Sequence, residues 1–462
     1  MQNKIPYRSI FGLLLLVSLS YSGWSQITIG STRVDTQSVA TNLDTPWEIL
    51  WGPDDHIWFT EREGRVSRLN PETGNRQTLL TIDEVHEQGE SGLLGMALHP
   101  DFEQTPWVYL VYNYLSGSSI KERLVRYTYL EESLKSPNVL FDGIEGSSIH
   151  NGSRIVIDSL NRLYFTTGDA SEASIAQDLN SVNGKILRMN LDGSLPDDNP
   201  FPDSYVWTYG HRNPQGLVYS PEGILYSSEH GPASDDEVNI IEKGRNYGWP
   251  DVMGYCDEAS ETDFCSENNV KEPIAAWTPT LAVAGIDFYD HEAIPEWANS
   301  ILMTTLKESE LVQLKLSENG QEVVEENRWF DEWWGRLRDV CIAPDGRVYI
   351  AVSNRDGRGD PAPGDDRIVE ISSATAISSG PAIEKNAFRV YPNPAEGNTR
   401  LSIPEVFVGG TLHVFDAEGK EQIATEIRQT EETLQTGTLP TGVYIIRIQK
   451  DQQNLTRKLI LK

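Results

Sequence analysis

His150 stands in SIHNGSRI directly before Asn151–Gly152, a pair that favours a tight turn. If that turn opens a strand, the imidazole faces the cleft lined by strand ends and not the packed faces of the sheet. An imidazole titrating near neutrality is suited to taking a proton from an alcohol. Cations are the second feature: Arg212 beside Asn213 in YGHRNPQG, Lys307 in TTLKESE, and Arg336 with Arg338 in WGRLRDV. The last two are two positions apart, so on an extended segment both point to one side, a fork matched to carboxylate or phosphate. Like charges gathered in one pocket repel and lose hydration unless an anion joins them. If the fold brings these cations together, their ligand is an anion. The segment SEHGPASDDEVN adds the main-chain carbonyls of Gly231 and Pro232, then Asp235, Asp236 and Glu237. Hard oxygen ligands of that kind suit Ca²⁺. Glu90, in GESGLLG, places a carboxylate at another strand start.

These cations belong to an acidic chain. Its 462 residues include 69 acidic and 38 basic side chains, a net charge of −31, which argues against a nucleic-acid binder. At 38% hydrophobic, 9% aromatic and 23% charged, the composition is that of a globular protein with ample core and excludes disorder throughout. Residues 1–25 read as a signal peptide: Lys4 and Arg8, the apolar run Ile10 to Leu19, then small and polar residues from Gly23 to Gln26. The run is too short to span a bilayer, and no later segment resembles a membrane helix, so the expectation is an exported, soluble mature chain. Cys256 and Cys265 bracket the acidic, turn-rich CDEASETDFC. In an oxidising compartment they are expected to close a small disulfide loop. Cys341, in DVCIAPDGRVYIAV, is expected to be a buried structural thiol, and the spacing of the three gives no zinc site.

The elements that must position these groups emerge from internal repetition. Six segments, beginning at Pro46, Gly92, Gly152, Gly216, Gly285 and Arg338, repeat an apolar run, a turn with Pro, Asp, Asn or Gly, and an alternating strand. The alternation in Ile57–Phe59–Glu61, Leu163–Phe165–Thr167 and Val348–Ile350–Val352 predicts half-buried antiparallel strands. Such meanders cannot bury their own faces singly, so the expected fold over 26–372 is all-β, a six-bladed β-propeller. A β-sandwich gives no reason for the sixfold turn. The loops at one end of a propeller form a funnel, and the chemistry-bearing residues all lie at such strand ends. Residues 373–386 read as a Ser/Ala/Gly linker. From 387 to 462, short strands around Gly and Asn turns predict a small β-sandwich.

At GLLGMALHPDF, HNGSRI, GKILRMNLDGSLPDDNPF, GHRNPQGL, EHGPASDDEVN, GRNYGWPDV and RLRDV, in that order between Thr41 and Ser372, the chain resembles the soluble pyrroloquinoline quinone (PQQ)-dependent sugar dehydrogenases of the glucose and aldose type. The resemblance implies a six-bladed propeller with the quinone in its funnel, clamped by Ca²⁺. It implies that His150 is the general base, and that Arg212, Asn213, Lys307, Arg336 and Arg338 hold the quinone's carboxylates and carbonyls. Main-chain oxygens of Gly231 and Pro232 would bind the Ca²⁺. Glu90 falls where the glucose enzymes carry Gln and the aldose enzymes an acid, next to cofactor and substrate, and Trp277 in AAWTPTLAVAG falls on the sugar-facing wall. The implied reaction is oxidation of an aldose to a lactone, with electrons passed on to an unidentified acceptor. Two positions depart from the pattern: Val283–Ala284 replace a Pro-Ser pair, and Ser153 replaces a common Gly. A propeller lactonase, or another metal hydrolase, would need inward carboxylates from several blades and leaves Lys307, Arg336 and Arg338 unexplained. A glycan-binding propeller would need no cofactor. At the other end, FRVYPNPAEGNTRLSI and LPTGVYIIRIQKDQQNLTRKLILK resemble the C-terminal sorting domain of the type IX secretion pathway, with a carbohydrate-binding sandwich as the alternative. That resemblance implies secretion machinery as a partner and a secreted or cell-surface location.

Overall fold

Short apolar runs separated by two- to five-residue turns fold back on themselves as antiparallel meanders. The computed structural model describes residues 27–374 and 388–462, apart from 392, 394, 396, 417–419, 438, 451 and 452. The expected signal peptide, and the expected linker from 375 on, lie outside the described residues. The chain divides into two compact units, Met1–Ala376 and Ile377–Lys462. Among the described residues no helix is long and apolar enough to cross a membrane.

In the first unit, six antiparallel sheets follow one another, opening with strands Pro46–Trp51, Leu93–Leu98, Ile155–Ile157, Pro214–Tyr219, Val283–Tyr289 and Leu337–Ile342. Each opening strand packs against that of the next sheet, and Leu337–Ile342 packs back on Pro46–Trp51, so the sheets form a closed ring. Strands expected to be half-buried are buried along their whole length: Ile57–Glu61, Leu163–Thr167 and Val348–Val352. The physical reason is that a sheet inside a ring is covered on both faces. Its polar side chains therefore bond to the neighbouring sheet: Thr60 Oγ1 donates to the Leu94 carbonyl at 2.7 Å, Thr166 Oγ1 to that of Pro214 at 3.2 Å, and Asp339 Oδ2 accepts from the Ile49 amide at 2.7 Å.

The sixth sheet is completed by a strand that the repeats did not contain. Thr32–Thr41 pairs antiparallel with Arg367–Ser373, from Val34 opposite Ser373 to Thr41 opposite Arg367. The turn before it is clasped by Glu296 of the fifth sheet's connection, whose Oε1 accepts from the Ser31 amide at 2.7 Å and whose Oε2 accepts from the Thr32 hydroxyl at 2.8 Å. Burial alone would raise the Glu296 pKa, but the bonds from Thr32 and Ser31 outweigh it and lower it from 4.5 to about 2. A carboxylate depressed by folding adds stability above its unfolded pKa and loses it as pH falls toward its folded one. Glu296→Gln should therefore narrow the drop in thermal midpoint between pH 6 and pH 3. A variant whose midpoint follows the wild-type pH curve unchanged would contradict the clasp.

Cys256 and Cys265 are joined by a disulfide. The stretch they bracket is not the expected turn-rich loop: Ala259–Asn268 is an α-helix, started by a reciprocal capping box between Glu258 and Glu261. That pairing satisfies amide groups that a helix start otherwise leaves bare. Cys341 is buried, and burial pushes its thiol pKa up.

The second unit holds a sheet of Arg389–Tyr391, Thr399–Ser402 and Glu431–Leu434, and another of Glu421–Glu426, Thr411–Phe415, Gly442–Lys450 and Gln453–Leu461. Phe388, Phe407, Val414, Ile446 and Leu459 are among its core residues. Glu421–Glu426 and Glu431–Leu434 were not anticipated, because their mostly exposed, acidic side chains give little apolar alternation.

Candidate active site

One cavity of about 360 Å³ in the first unit takes lining residues from all six sheets or their connections. Arg62 follows strand Ile57–Glu61, Glu90 and His150 precede the second and third opening strands, and Arg212 precedes the fourth. Lys307 follows Ser300–Thr305, while Arg336 and Arg338 stand at the start of the sixth. Gly231 and Pro232 lie between Leu225–Glu229 and Asp236–Ile240 and also line it. The separation of these residues in sequence and their convergence here follow from ring closure.

His150 has φ of 61°, a conformation that a non-glycine residue holds only when its surroundings fix it. Its backbone amide donates to Glu90 Oε2 at 3.1 Å, and its carbonyl accepts from the Ala170 amide at 3.1 Å. Gly168 permits this fit, since a Cβ there would lie 1.9 Å from the His150 carbonyl oxygen. The ring's Nδ1 is 2.8 Å from Asp169 Oδ1, and the other carboxylate oxygen of Asp169 accepts from Trp249 Nε1 at 2.9 Å. Nε2 has no hydrogen-bond partner among the described residues, and the residue lines the cavity. A carboxylate on Nδ1 fixes ring orientation and tautomer and leaves Nε2 as the free base.

The wall carries six cations, Arg62, Arg212, Lys307, Arg336, Arg338 and Arg358, against three carboxylates, Glu90, Asp236 and Asp356. Arg336 Nε and Arg338 Nη2 both reach Asp356 Oδ2, at 2.7 and 2.8 Å, so the expected fork is held by one shared carboxylate. Burial, with repulsion from Arg336 and Arg62, pushes the Arg338 pKa down to about 10 despite Asp356. Burial also lowers the Arg212 pKa, outweighing the pull of Asp169, Glu229, Glu90 and Asp236. For Glu90 burial acts upward, but the His150 amide, His230 and Arg358 prevail and hold its pKa low. Lys307 Nζ donates to the Thr280 carbonyl at 2.7 Å.

The residues fit a polyanionic cofactor bearing carbonyl oxygens. Among the described residues, Arg212 Nε and His230 Nε2 are buried without a hydrogen-bond partner in residues that line the cavity, and buried polar atoms are rarely left so. The acids after Pro232 are engaged elsewhere: Asp236 Oδ1 accepts from the Gly231 amide at 2.9 Å, Asp235 Oδ1 from the Thr278 hydroxyl at 2.8 Å, and Glu237 Oε1 from the Gly254 amide at 2.7 Å.

Two expected site residues are not on the wall. Asn213 is buried, and its Oδ1 accepts from the Gly152 amide at 3.0 Å and from Gln215 Nε2 at 3.1 Å, so it braces the turn behind His150. Trp277 lies on the outermost strand of the fourth sheet, Ala275–Trp277. It packs in a core cluster with Val238 and Val283 and donates Nε1 to Glu326 Oε2 at 2.9 Å. The sugar-facing assignment of Trp277 is therefore corrected; Thr280 and Ala282, a few residues on, reach the cavity. Trp277→Phe should lower stability by about 1–3 kcal/mol, through the lost bond and ring volume, with the sugar KM unchanged. A severalfold KM change at full stability would contradict this placement. The sequence reading missed Arg62, Asp169, His230, Asp356 and Arg358; of these, only His230 adjoins a residue it had singled out.

Residues 43–360 match the Glucose / Sorbosone dehydrogenase family, and residues 389–462 match the secretion system C-terminal sorting domain. The chain belongs to the glucose/sorbosone dehydrogenase family, carried on a propeller-like fold. It is 32% identical over 415 residues to quinoprotein glucose dehydrogenase B of Acinetobacter calcoaceticus, covering 71% of this chain and 87% of that protein. It is 30% identical to aldose sugar dehydrogenase YliI of Escherichia coli, covering 76% and 97%. The PQQ-bound structure of aldose sugar dehydrogenase from Streptomyces coelicolor superposes with a TM-score of 0.65 at 34% identity, over 74% of this chain and 98% of that one.

Proposed function

We propose that this chain is an exported quinoprotein that oxidises aldose sugars at the anomeric carbon to lactones. In this reading residues 26–372 form a six-bladed propeller, 373–386 link it to a β-sandwich over 387–462, and that last part delivers the protein to the secretion machinery. The convergence of cations from separate sheets beside the His150–Asp169 pair carries the reading, and the names of the relatives support it.

Arg212, Lys307, Arg336 and Arg338, joined by Arg62 and His230, would hold PQQ, and the carbonyls of Gly231 and Pro232 would hold Ca²⁺. When bound, the quinone supplies a hydride acceptor and the Ca²⁺ a Lewis acid. His150 Nε2 takes the proton of the anomeric hydroxyl, while Asp169 keeps the ring aimed and stabilises the imidazolium. Trp249 in turn fixes Asp169. Arg212 and Lys307, both on the cavity wall, stabilise negative charge that develops beside them. Glu90 holds the His150 backbone and offers a carboxylate to a sugar hydroxyl. The hydrolase alternative is less well supported, since no group of three or more His, Cys, Asp or Glu positioned to hold a metal occurs among the described residues.

The test is to add PQQ and Ca²⁺ to the purified cofactor-free chain and follow reduction of an electron-accepting dye with a panel of aldoses. Reduction by several aldoses supports the dehydrogenase. No reduction with any sugar, alongside tight glycan binding, supports a binding propeller instead.

A further inference from the structure

The turn that presents His150 is held by residues that do not line the cavity. His150 and Ser153 have φ of 61° and 82°, in the left-handed region that non-glycine residues occupy only when their surroundings fix them. Ser153 and Asn151, both buried, are bonded to the second sheet. There Asn113, on strand Trp107–Ser116, stands opposite Glu122, on Ser119–Leu130. Ser153 Oγ donates to Glu122 Oε2 at 2.9 Å, and Asn113 Nδ2 lies 3.4 Å from that oxygen and 3.2 Å from Asn151 Oδ1. Asn151 closes the turn on Ser147, accepting from its amide at 3.0 Å and donating to its carbonyl at 2.9 Å. Strand Leu93–Leu98 abuts the same turn so closely that a Cβ on Gly95 would lie 1.8 Å from the Ser153 carbonyl oxygen.

Glu122 is an unusual anchor. It is 1% exposed, and among the described residues its Oε1 has no hydrogen-bond partner. Across the ladder it faces Asn113 and Ile144, both uncharged. The cations nearby in sequence are paired elsewhere: Lys121 with Glu145, Arg123 with Glu84 and Asp142, and Arg154, beside Ser153, with Glu48 and Asp339. The His150 ring is paired with Asp169. An ionised Glu122 would be a buried charge without a partner, so the group keeps its proton. Burial pushes its pKa up to about 8, against the bonds from Ser153 and Asn113. Uncharged, it still accepts from Ser153. We infer that Glu122 is a positioning residue for His150: through Ser153 and Asn113 it holds the turn from which the imidazole reaches the cavity. The inference rests on the reading of His150 as the base and adds a group from outside the cavity wall.

The test pairs two readouts on the full chain. One is the magnetic resonance signal of the His150 ring in the cofactor-free protein, isotope-labelled at histidine Cε1 and assigned by its loss in His150→Ala. The other is dye reduction with glucose by the protein loaded with PQQ and Ca²⁺. Glu122→Met, which fills the space without an acceptor, shifts the signal and lowers kcat about tenfold, on the scale of a slightly misplaced catalytic group. The KM for glucose and the affinity for PQQ stay as they were. Glu122→Gln, which keeps an acceptor and cannot ionise, restores both signal and kcat. As pH rises through about 8, the wild type loses turnover that Glu122→Gln retains. Ser153→Ala, the milder change, decides the matter if Glu122→Met does not fold: it moves the same signal and lowers kcat about threefold. An unmoved signal with wild-type kcat, equal losses in the Met and Gln variants, a loss confined to KM, or the same alkaline fall with and without Glu122 would each overturn the role. If the loaded protein oxidises no sugar while the His150 signal moves in Glu122→Met and returns in Glu122→Gln, the dehydrogenase reading fails and the positioning role stands.

Discussion

His150→Ala lowers aldose turnover at least about a hundredfold and leaves quinone affinity within about threefold. The size is that of a lost general base. The division between kcat and binding follows from geometry, because the cations that would hold the cofactor come from other sheets and do not bond to the imidazole. Asp169→Asn should give a smaller version of the same loss: it keeps a side chain of the same shape at 2.8 Å from Nδ1 but removes the charge that favours the imidazolium. The readouts are steady-state dye reduction at saturating sugar and a separate titration of the quinone. Wild-type turnover in His150→Ala would remove the residue from the role, and equal loss of cofactor affinity would make it a structural residue.

Arg338→Met acts on the other half of the site, and its two effects have opposite signs. Affinity for PQQ falls by at least about thirtyfold, the lower end of what removing one partner of a buried charged contact does. The thermal midpoint of the cofactor-free chain rises or stays level. In that form Arg338 is a buried guanidinium pushed down to about 10 by burial and by Arg336 and Arg62, so its charge is disfavoured by folding, and Asp356 keeps Arg336 as a partner. A group whose role is to receive an anion is expected to be awkward without one. Calorimetry of both forms checks this. A midpoint that drops together with the affinity would show that Arg338 mainly holds the fold.

How far the sequence revealed these features depended on sequence distance. All six repeat starts fall at or beside an opening strand, because turn residues and alternation are local signals. His150, Arg212, Lys307, Arg336 and Arg338 stood out as charged or titratable groups at strand ends, and ring closure brings them together. Features set by distant pairing were hidden. Thr32–Thr41 finds its partner more than three hundred residues on, at Arg367–Ser373. Asp169 is marked only by its place after Gly168, and Asp356 and Arg358 lie in a polar loop with no periodic signal. Arg62 was within reach, as a charged residue in the turn of the first repeat. Trp277 was misassigned because a resemblance carries a residue's place in the chain and not the strand register that turns its ring into the core.

The account stands on cations from separate sheets receiving one polyanionic cofactor. Its most direct test is an equilibrium titration of the purified, cofactor-free chain with PQQ, with and without Ca²⁺, for the wild type and for Arg338→Met. The prediction is saturable one-to-one binding in the wild type that tightens sharply with Ca²⁺ and is lost or greatly weakened in the variant. Absence of saturable binding to the folded wild type, or equal affinity in both proteins, would contradict it.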